Sequence, residues 1–502
     1  MPEEILYKST RGKGDAVHSQ EAILRGLADD GGLFVPERIP ALSIDLDELP
    51  SLSYRETAFR VMRDYLMDFT EEELRTAIAA AYDEKFDDER IAPLVRPDSK
   101  GPAYLELFHG KTIAFKDMAL SILPHFMTIA ARKRGLDSKI LILTATSGDT
   151  GKAALSGFAD VPGTEIIVFF PKDGVSEVQR LQMVTEKGKN THVVSVNGNF
   201  DDCQSGVKKI FSDPALRAEM EGCGYQFSSA NSINIGRLVP QIVYYVYAYG
   251  QMCKLNCIKA GEKINFAVPT GNFGNILAGY YARSMGLPVN KLICASNENK
   301  VLFDFLNTGV YDRNRKFLLT HSPSMDILIS SNLERLIYKI EDEDPIKTAS
   351  LMKELSEKGR YQVTSEILER AEGIRGYFAS ETECFGKIKS LYKETDYIID
   401  THTAVAAAAL DKYLSETKDD TPTVIVSTAS PYKFADSVVS AIDPSKHFEG
   451  SEGYIDALRS LGAPEIPDAI KEIREAKIVH GENCDPSEMG ITVKKVLGII
   501  AN

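Results

Sequence analysis

Ile264-Asn-Phe-Ala-Val268 runs into Pro269-Thr-Gly271-Asn-Phe-Gly274-Asn275 and then into an apolar helical stretch, Ile276–Arg283. A short apolar run bounded by a turn reads as a strand buried on both faces. The two glycines let the backbone approach a ligand closely and reach dihedrals closed to other residues. At the start of a helix, successive N–H groups hold an anion without any cation. The spacing is not the dinucleotide fingerprint G-x-G-x-x-G, and an ordinary strand-to-helix turn is the plain alternative.

The same unit recurs on both sides of this stretch. Lys139–Thr144, Ile166–Phe170, Val193–Val196, Ile293–Ala295 and Thr423–Ser427 are further apolar runs with helical segments between them. Such alternation predicts an α/β protein with open twisted sheets, two of them here. Residues 54–83 carry apolar positions three and four apart and predict two amphipathic helices broken near Thr70. Three regions are therefore expected. They are an N-terminal helical domain over 1–100, a catalytic α/β region over 101–440 with a smaller subdomain near 126–225, and a helical tail over 441–502. Pro93–Pro102 reads as a linker. Residues 333–395 read as charged helices broken at Gly359, Gly373 and Gly376.

Composition narrows the class. The 502 residues carry a net charge of −14, which argues against nucleic acid as a whole-surface partner. Any phosphate ligand must then be held by local features that oppose the global field. The longest uncharged apolar stretch, Leu238–Cys253, falls short of the roughly 20 apolar residues of a membrane span, so a buried helix and no membrane partner are expected. The opening MPEEILYKST has no apolar h-region, so a cytoplasmic protein without a signal peptide is expected. Seven scattered cysteines argue against a disulfide framework. Cys253 and Cys257 read as two thiols on a helix face rather than a zinc site, and no metal is expected.

Three more segments carry candidate chemistry. Thr144–Lys152, with Ser147, Gly148, Asp149 and Thr150, follows a strand and opens a helix. It is not a P-loop, because Thr146 stands where a glycine is required and Ala153 follows Lys152. Leu107–Asp117 contains Lys116 between Phe115 and Asp117, either a surface lysine or a desolvated amine suited to a Schiff base. His109 reads as a structural histidine. Ser427–Pro431 places Thr428 at the carboxyl end of a strand, where ligands collect. A nucleophilic lysine, a cation-free phosphate cradle and a neutral hydroxyl are together the parts that pyridoxal phosphate needs.

Phe108-His-Gly-Lys-Thr-Ile-Ala-Phe-Lys-Asp117 resembles the lysine motif of the threonine synthases, Phe-His-Gly-Pro-Thr-x-Ala-Phe-Lys-Asp. Similar matches are Ser9–Gly12, Gly26–Ala28, Asp30–Pro36, Ser147–Gly151, Ser229–Asn234 with Gly236-Arg237, and Gly271–Asn275. Departures are Lys111, where the family has Pro, and Ser430 and Tyr432 in its Thr-Ala-His-Pro-Ala-Lys-Phe segment; Lys433 and Phe434 remain.

The resemblance implies a fold-type-II pyridoxal phosphate enzyme that converts O-phospho-L-homoserine and water to L-threonine and phosphate, as a monomer or homodimer. Within it, Lys116 would be the Schiff-base lysine. Gly271, Asn272, Phe273, Gly274 and Asn275 would bind the cofactor phosphate, and Thr428 would face the pyridine nitrogen. Ser147, Gly148, Asp149 and Thr150 would lie near the substrate carboxylate or cofactor ring. Donors for the substrate phosphate would come from Arg237, Lys111, Asn231, Ser232 and Asn234, and only this second anion would depend strongly on Lys or Arg. The alternative is a related pyridoxal phosphate lyase releasing a 2-oxo acid, ammonia and phosphate.

Overall fold

The computed structural model describes residues 4–500 except 147 and 174. Two parallel sheets organise it. The larger runs Ile374–Phe378, Val289–Ser296, Ile264–Pro269, Thr423–Ser427, Ala103–Glu106 and Leu94–Val95, parallel throughout except for the last edge pair. The smaller runs Glu482–Cys484, Thr191–Val196, Thr164–Pro171, Lys139–Ala145 and Tyr225–Ser228, parallel throughout. All six apolar runs are strands. Ile264–Pro269 and Thr423–Ser427 are buried along their whole length, as strands covered on both faces must be.

Helices cover the larger sheet for identifiable reasons. Thr401–Thr417 lies across four of its strands, and its small residues Ala404 to Ala409 allow that close approach. Gly376 is inside a strand rather than a break. A Cβ there would come within 3.0 Å of Leu306 on the overlying helix Val301–Thr308. Gly359 does end a helix, with φ of 75°.

The N-terminal region holds helices Ser19–Arg25, Tyr54–Tyr65 and Glu71–Ala81 and a two-stranded ribbon, Tyr7–Ser9 with Phe34–Pro36. The break near Thr70 is a capping box, in which the Thr70 hydroxyl and the Glu73 carboxylate each bond the other's backbone N–H. The apolar stretch near Leu238 is helix Ile235–Lys254, buried from Ile235 to Met252. It packs against both the N-terminal helix Tyr54–Tyr65 and helix Gly274–Ser284. No helix among the described residues is long and apolar enough to cross a membrane.

Two segments differ from expectation. The linker Pro93–Pro102 contains the edge strand Leu94–Val95, too short to leave a pattern. The C-terminal segment has helices Ser451–Ser460, Asp468–Glu475 and Met489–Val496, but it also adds strand Glu482–Cys484 to the smaller sheet. That strand is polar and only its Cys484 is buried, so no apolar run betrays it.

Helix Asp149–Phe158 joins the two sheets at the site. It packs on its own sheet and on the short helix Asp117–Leu120 that follows Lys116. A Cβ at Gly157 would run into the Leu120 carbonyl oxygen. Gly157→Ala is therefore expected to destabilise the fold by about 1–3 kcal/mol. Chemical denaturation checks this, and an unchanged midpoint would contradict the packing.

Candidate active site

One cavity of about 840 Å³ opens where the two sheets face each other. Its wall carries Lys116, Asp149, Thr150, Asn231, Ser232, Arg237, Gly271, Asn272, Phe273, Gly274, Asn275 and Thr428. Segments more than 300 residues apart in sequence thus meet on one surface. Gly148, Asn234 and Lys111 are not on that wall, and Ser147 lies outside the described residues.

The loop before Lys116 is built for rigidity. The buried Asp117 carboxylate accepts from Thr112 N and Thr112 Oγ1, both at 2.7 Å. Gly110 is required because a Cβ there would strike Asp117. Between them Ile113 has φ of 52°, a costly conformation for a β-branched residue. His109 bonds Asp87 at 2.5 Å and Glu106 at 2.9 Å and is not on the cavity wall. It serves the loop as a structural ion-pair partner.

Asp149 stands at the centre of the polar contacts. Its Oδ2 accepts from Ser324 Oγ at 2.8 Å and lies 3.5 Å from Lys116 Nζ. Its Oδ1 accepts from Gln179 Nε2 at 2.8 Å and lies 3.1 Å from Lys433 Nζ. Burial alone would push this carboxyl up, but Lys433 and Lys116 hold it far below the usual carboxylate range. The Lys116 side chain is only 12% exposed. Burial lowers its pKa; Asp149 opposes that, and Lys433 and Arg237 reinforce it.

On the facing side, Phe273 takes the left-handed conformation at φ of 63° and starts helix Gly274–Ser284. The first N–H groups of a helix have no partner within it, so they point unsatisfied toward the cavity end. Tyr244 and Tyr245, from the buried helix, donate to Asn275 Oδ1 at 2.6 and 2.8 Å. Asn275 Nδ2 is left buried without a partner. Gly271 is needed because a Cβ would come within 2.9 Å of Ser324 O.

The N-terminal region braces this turn from outside. Arg11 makes a two-pronged bond to Glu334 at 2.9 and 2.8 Å, and the buried Arg335 donates to Phe34 O and Ile233 O. Their neighbours Asn332 and Ser330 then hold Asn272 O and Gly271 O at 3.1 and 2.7 Å.

Arg237 is 2% exposed. Its Nη1 donates to Ala230 O at 3.0 Å, its Nε is unpartnered, and no carboxylate pairs with it among the described residues. Burial pushes it down to about 10. Asn234 instead caps helix Ile235–Lys254 and donates to Ile23 O and Ser229 O, which uses its side chain structurally. Lys111 is exposed, on the side of Glu186. Ser430 caps the turn Pro431–Phe434, and the Tyr432 hydroxyl reaches Pro464 O at 2.5 Å.

Sequence reading does not single out Ser324 and His402, both on the wall. His402 is oriented by the buried Asp400 at 2.8 Å and accepts from Ser324 N at 3.2 Å. The only sequence signal for them is Asp400 and His402 at the start of a helix, which reads equally as an N-cap.

Lysine, cation-free turn and strand-end hydroxyl around one cavity between two parallel sheets define the class. The chain is a fold-type-II member of the pyridoxal-phosphate-dependent enzymes, whose family model matches residues 93–429. Models described as threonine synthase N terminus and threonine synthase, C-terminal match residues 6–82 and 403–478. The chain belongs to the threonine synthase family. It is 37% identical to threonine synthase of Saccharomyces cerevisiae over 96% of this chain and 98% of that one. It is 39% identical to threonine synthase-like 1 of Macaca fascicularis over 93% of this chain, and spans 64% of that protein's length. PLP-bound threonine synthase from Brucella melitensis superposes with a TM-score of 0.85 at 32% identity, over 98% of this chain and 99% of that one.

The His109 contacts carry a pH signature. Burial disfavours the charged imidazole, but Asp87 and Glu106 raise its pKa to about 9. A raised folded-state value means stabilisation fully present below about pH 6.5 and lost as pH rises through about 9. Asp87 is 59% exposed, so screening reduces the effect to about 1–2 kcal/mol. Denaturation of His109→Gln across this range should show its deficit shrinking as pH rises. A constant deficit would contradict the ion pairs.

Proposed function

We propose that the protein is a threonine synthase, converting O-phospho-L-homoserine and water to L-threonine and phosphate. The observation that carries this reading is the pairing, in one cavity, of a desolvated lysine with two anion sites of different construction. The residues present fit pyridoxal phosphate. The unpartnered Asn275 Nδ2 and the free N–H groups at the start of helix Gly274–Ser284 suit its phosphate, and the buried Thr428 hydroxyl suits a neutral ring nitrogen. Gly271, Asn272, Phe273, Gly274, Asn275, Thr428 and Lys116 would hold it. When bound, it supplies an electron sink for carbanion chemistry at the substrate.

The chain's own groups do the remaining work. Lys116 Nζ, its amine favoured as the free base by burial, takes a proton from substrate Cα and serves the neighbouring carbons from the same flexible stem. Arg237, a buried cation without a carboxylate partner, receives the substrate phosphate, with Asn231 and Ser232 beside it on the wall. Asp149 and Thr150, on the same cavity wall, would contact the substrate carboxylate or cofactor ring. Phosphate leaves from Cγ and water adds at Cβ. The acidic charge argues against nucleic-acid partners, and the enzyme is read as a cytoplasmic monomer or homodimer acting on a small molecule.

Threonine should form when the yellow protein meets O-phosphohomoserine; a 2-oxo acid and ammonia in its place would favour the phospholyase alternative. Lys116→Ala should lose both turnover and the visible absorbance of the bound cofactor, and an unchanged spectrum would refute its role. Arg237→Gln should raise KM for O-phosphohomoserine by about 10- to 100-fold while cofactor content stays unchanged. Equal loss of cofactor would place Arg237 at the other anion.

A further inference from the structure

Lys433 has no part in the binding roles above, yet its side chain has no exposed surface at all. Its Nζ donates to Thr112 O at 2.8 Å, in the rigid loop that presents Lys116. The same Nζ lies 3.1 Å from Asp149 Oδ1, while Lys116 Nζ lies 3.5 Å from Asp149 Oδ2. One carboxylate therefore stands between two lysine side-chain nitrogens. It comes from the smaller sheet's helix, and both lysines come from segments beside the larger sheet.

Resting on the reading of Lys116 as the reacting amine, we infer that Lys433 is a positioning residue. Clamped between Thr112 O and Asp149 Oδ1, it holds the Asp149 carboxylate across the cleft and shares its charge, which denies Lys116 an exclusive ion-pair partner.

The charged groups facing Lys116 are few. Asp149 favours its protonated form, and Lys433 and Arg237 disfavour it. His402, which accepts from Ser324 N, also bears on the Asp149 carboxylate that Ser324 Oγ bonds. Asp117, next in the chain, is turned to Thr112 and fully engaged there. Without Lys433, Asp149 would be left to Lys116, and the larger of the two positive-charge effects opposing its protonation would be gone. An opposite charge within a few ångströms favours the charged form, so the amine would hold its proton to higher pH. A purely structural staple would brace the 112–117 loop without this effect.

The test titrates the visible absorbance of the PLP-loaded full chain against pH and compares midpoints. Lys433→Met should raise the midpoint by about one pH unit, and Lys433→Arg, which keeps the charge, should stay near wild type. Asp149→Asn, removing the attraction, should move it down. An unmoved midpoint in Lys433→Met, or an Arg variant displaced as far as the Met variant, would overturn the inference. If Lys433→Met does not take up cofactor, the Asp149→Asn midpoint decides: a downward shift supports the inference and no shift overturns it. Loss of colour in both variants overturns it in favour of plain scaffolding. Colour that survives Lys116→Ala would instead defeat the underlying assignment of Lys116, a result separable from an unmoved midpoint.

Discussion

The carboxylate of Asp149, buried between the side-chain nitrogens of Lys116 and Lys433, is the contact on which the site depends. A charge taken out of water is costly unless its lone pairs are saturated. Here Gln179 and Ser324 complete the set with hydrogen bonds at 2.8 Å. Partners come from both sheets and from the loop over 322–325, so the ion can be satisfied only when all three are assembled. Such a group adds little net stability, since an apolar replacement of the whole cluster would cost less to bury. Its value lies in fixing where the two halves meet and in setting the charge beside Lys116.

Backbone strain is also present at this place. Ile113 and Phe273 both hold positive φ, one just before Lys116 and the other at the start of the helix that faces it. Each is held by surroundings that leave it no alternative. Asp117 and Lys433 grip Thr112 beside Ile113, and Asn332 and Ser330 grip two successive carbonyls of the glycine-rich turn, Asn272 O and Gly271 O. The second grip leads through Arg335 and Glu334 to the N-terminal ribbon. The N-terminal region thereby helps to keep the geometry of the turn. On the proposed reading, an acidic chain offers one anion site through backbone N–H groups and another through the buried guanidinium of Arg237.

Much of this is legible in the sequence, and the parts that are not share a cause. Strands such as Ile264–Pro269 stand out because burial on both faces makes them continuously apolar. Ala103–Glu106 and Tyr225–Ser228 do not, since four residues without a β-branched run give no periodicity to read. Glu482–Cys484 is an edge strand with one buried residue, so its pattern is that of a loop. Lys116 and the turn Gly271–Asn275 are conspicuous because their chemistry is local. Ser324 and His402 reach the cavity by tertiary placement alone, and Asn234 resembles a ligand until its side chain is seen to cap a helix.

The central claim is that one cavity removes phosphate from a four-carbon amino acid and adds water to the neighbouring carbon. The most direct measurement is turnover of O-phosphohomoserine in ¹⁸O-labelled water, followed by mass spectrometry of both products. The account predicts one labelled oxygen in threonine and none in the released phosphate. Label in the phosphate, or a labelled 2-oxo acid with no threonine, would contradict it.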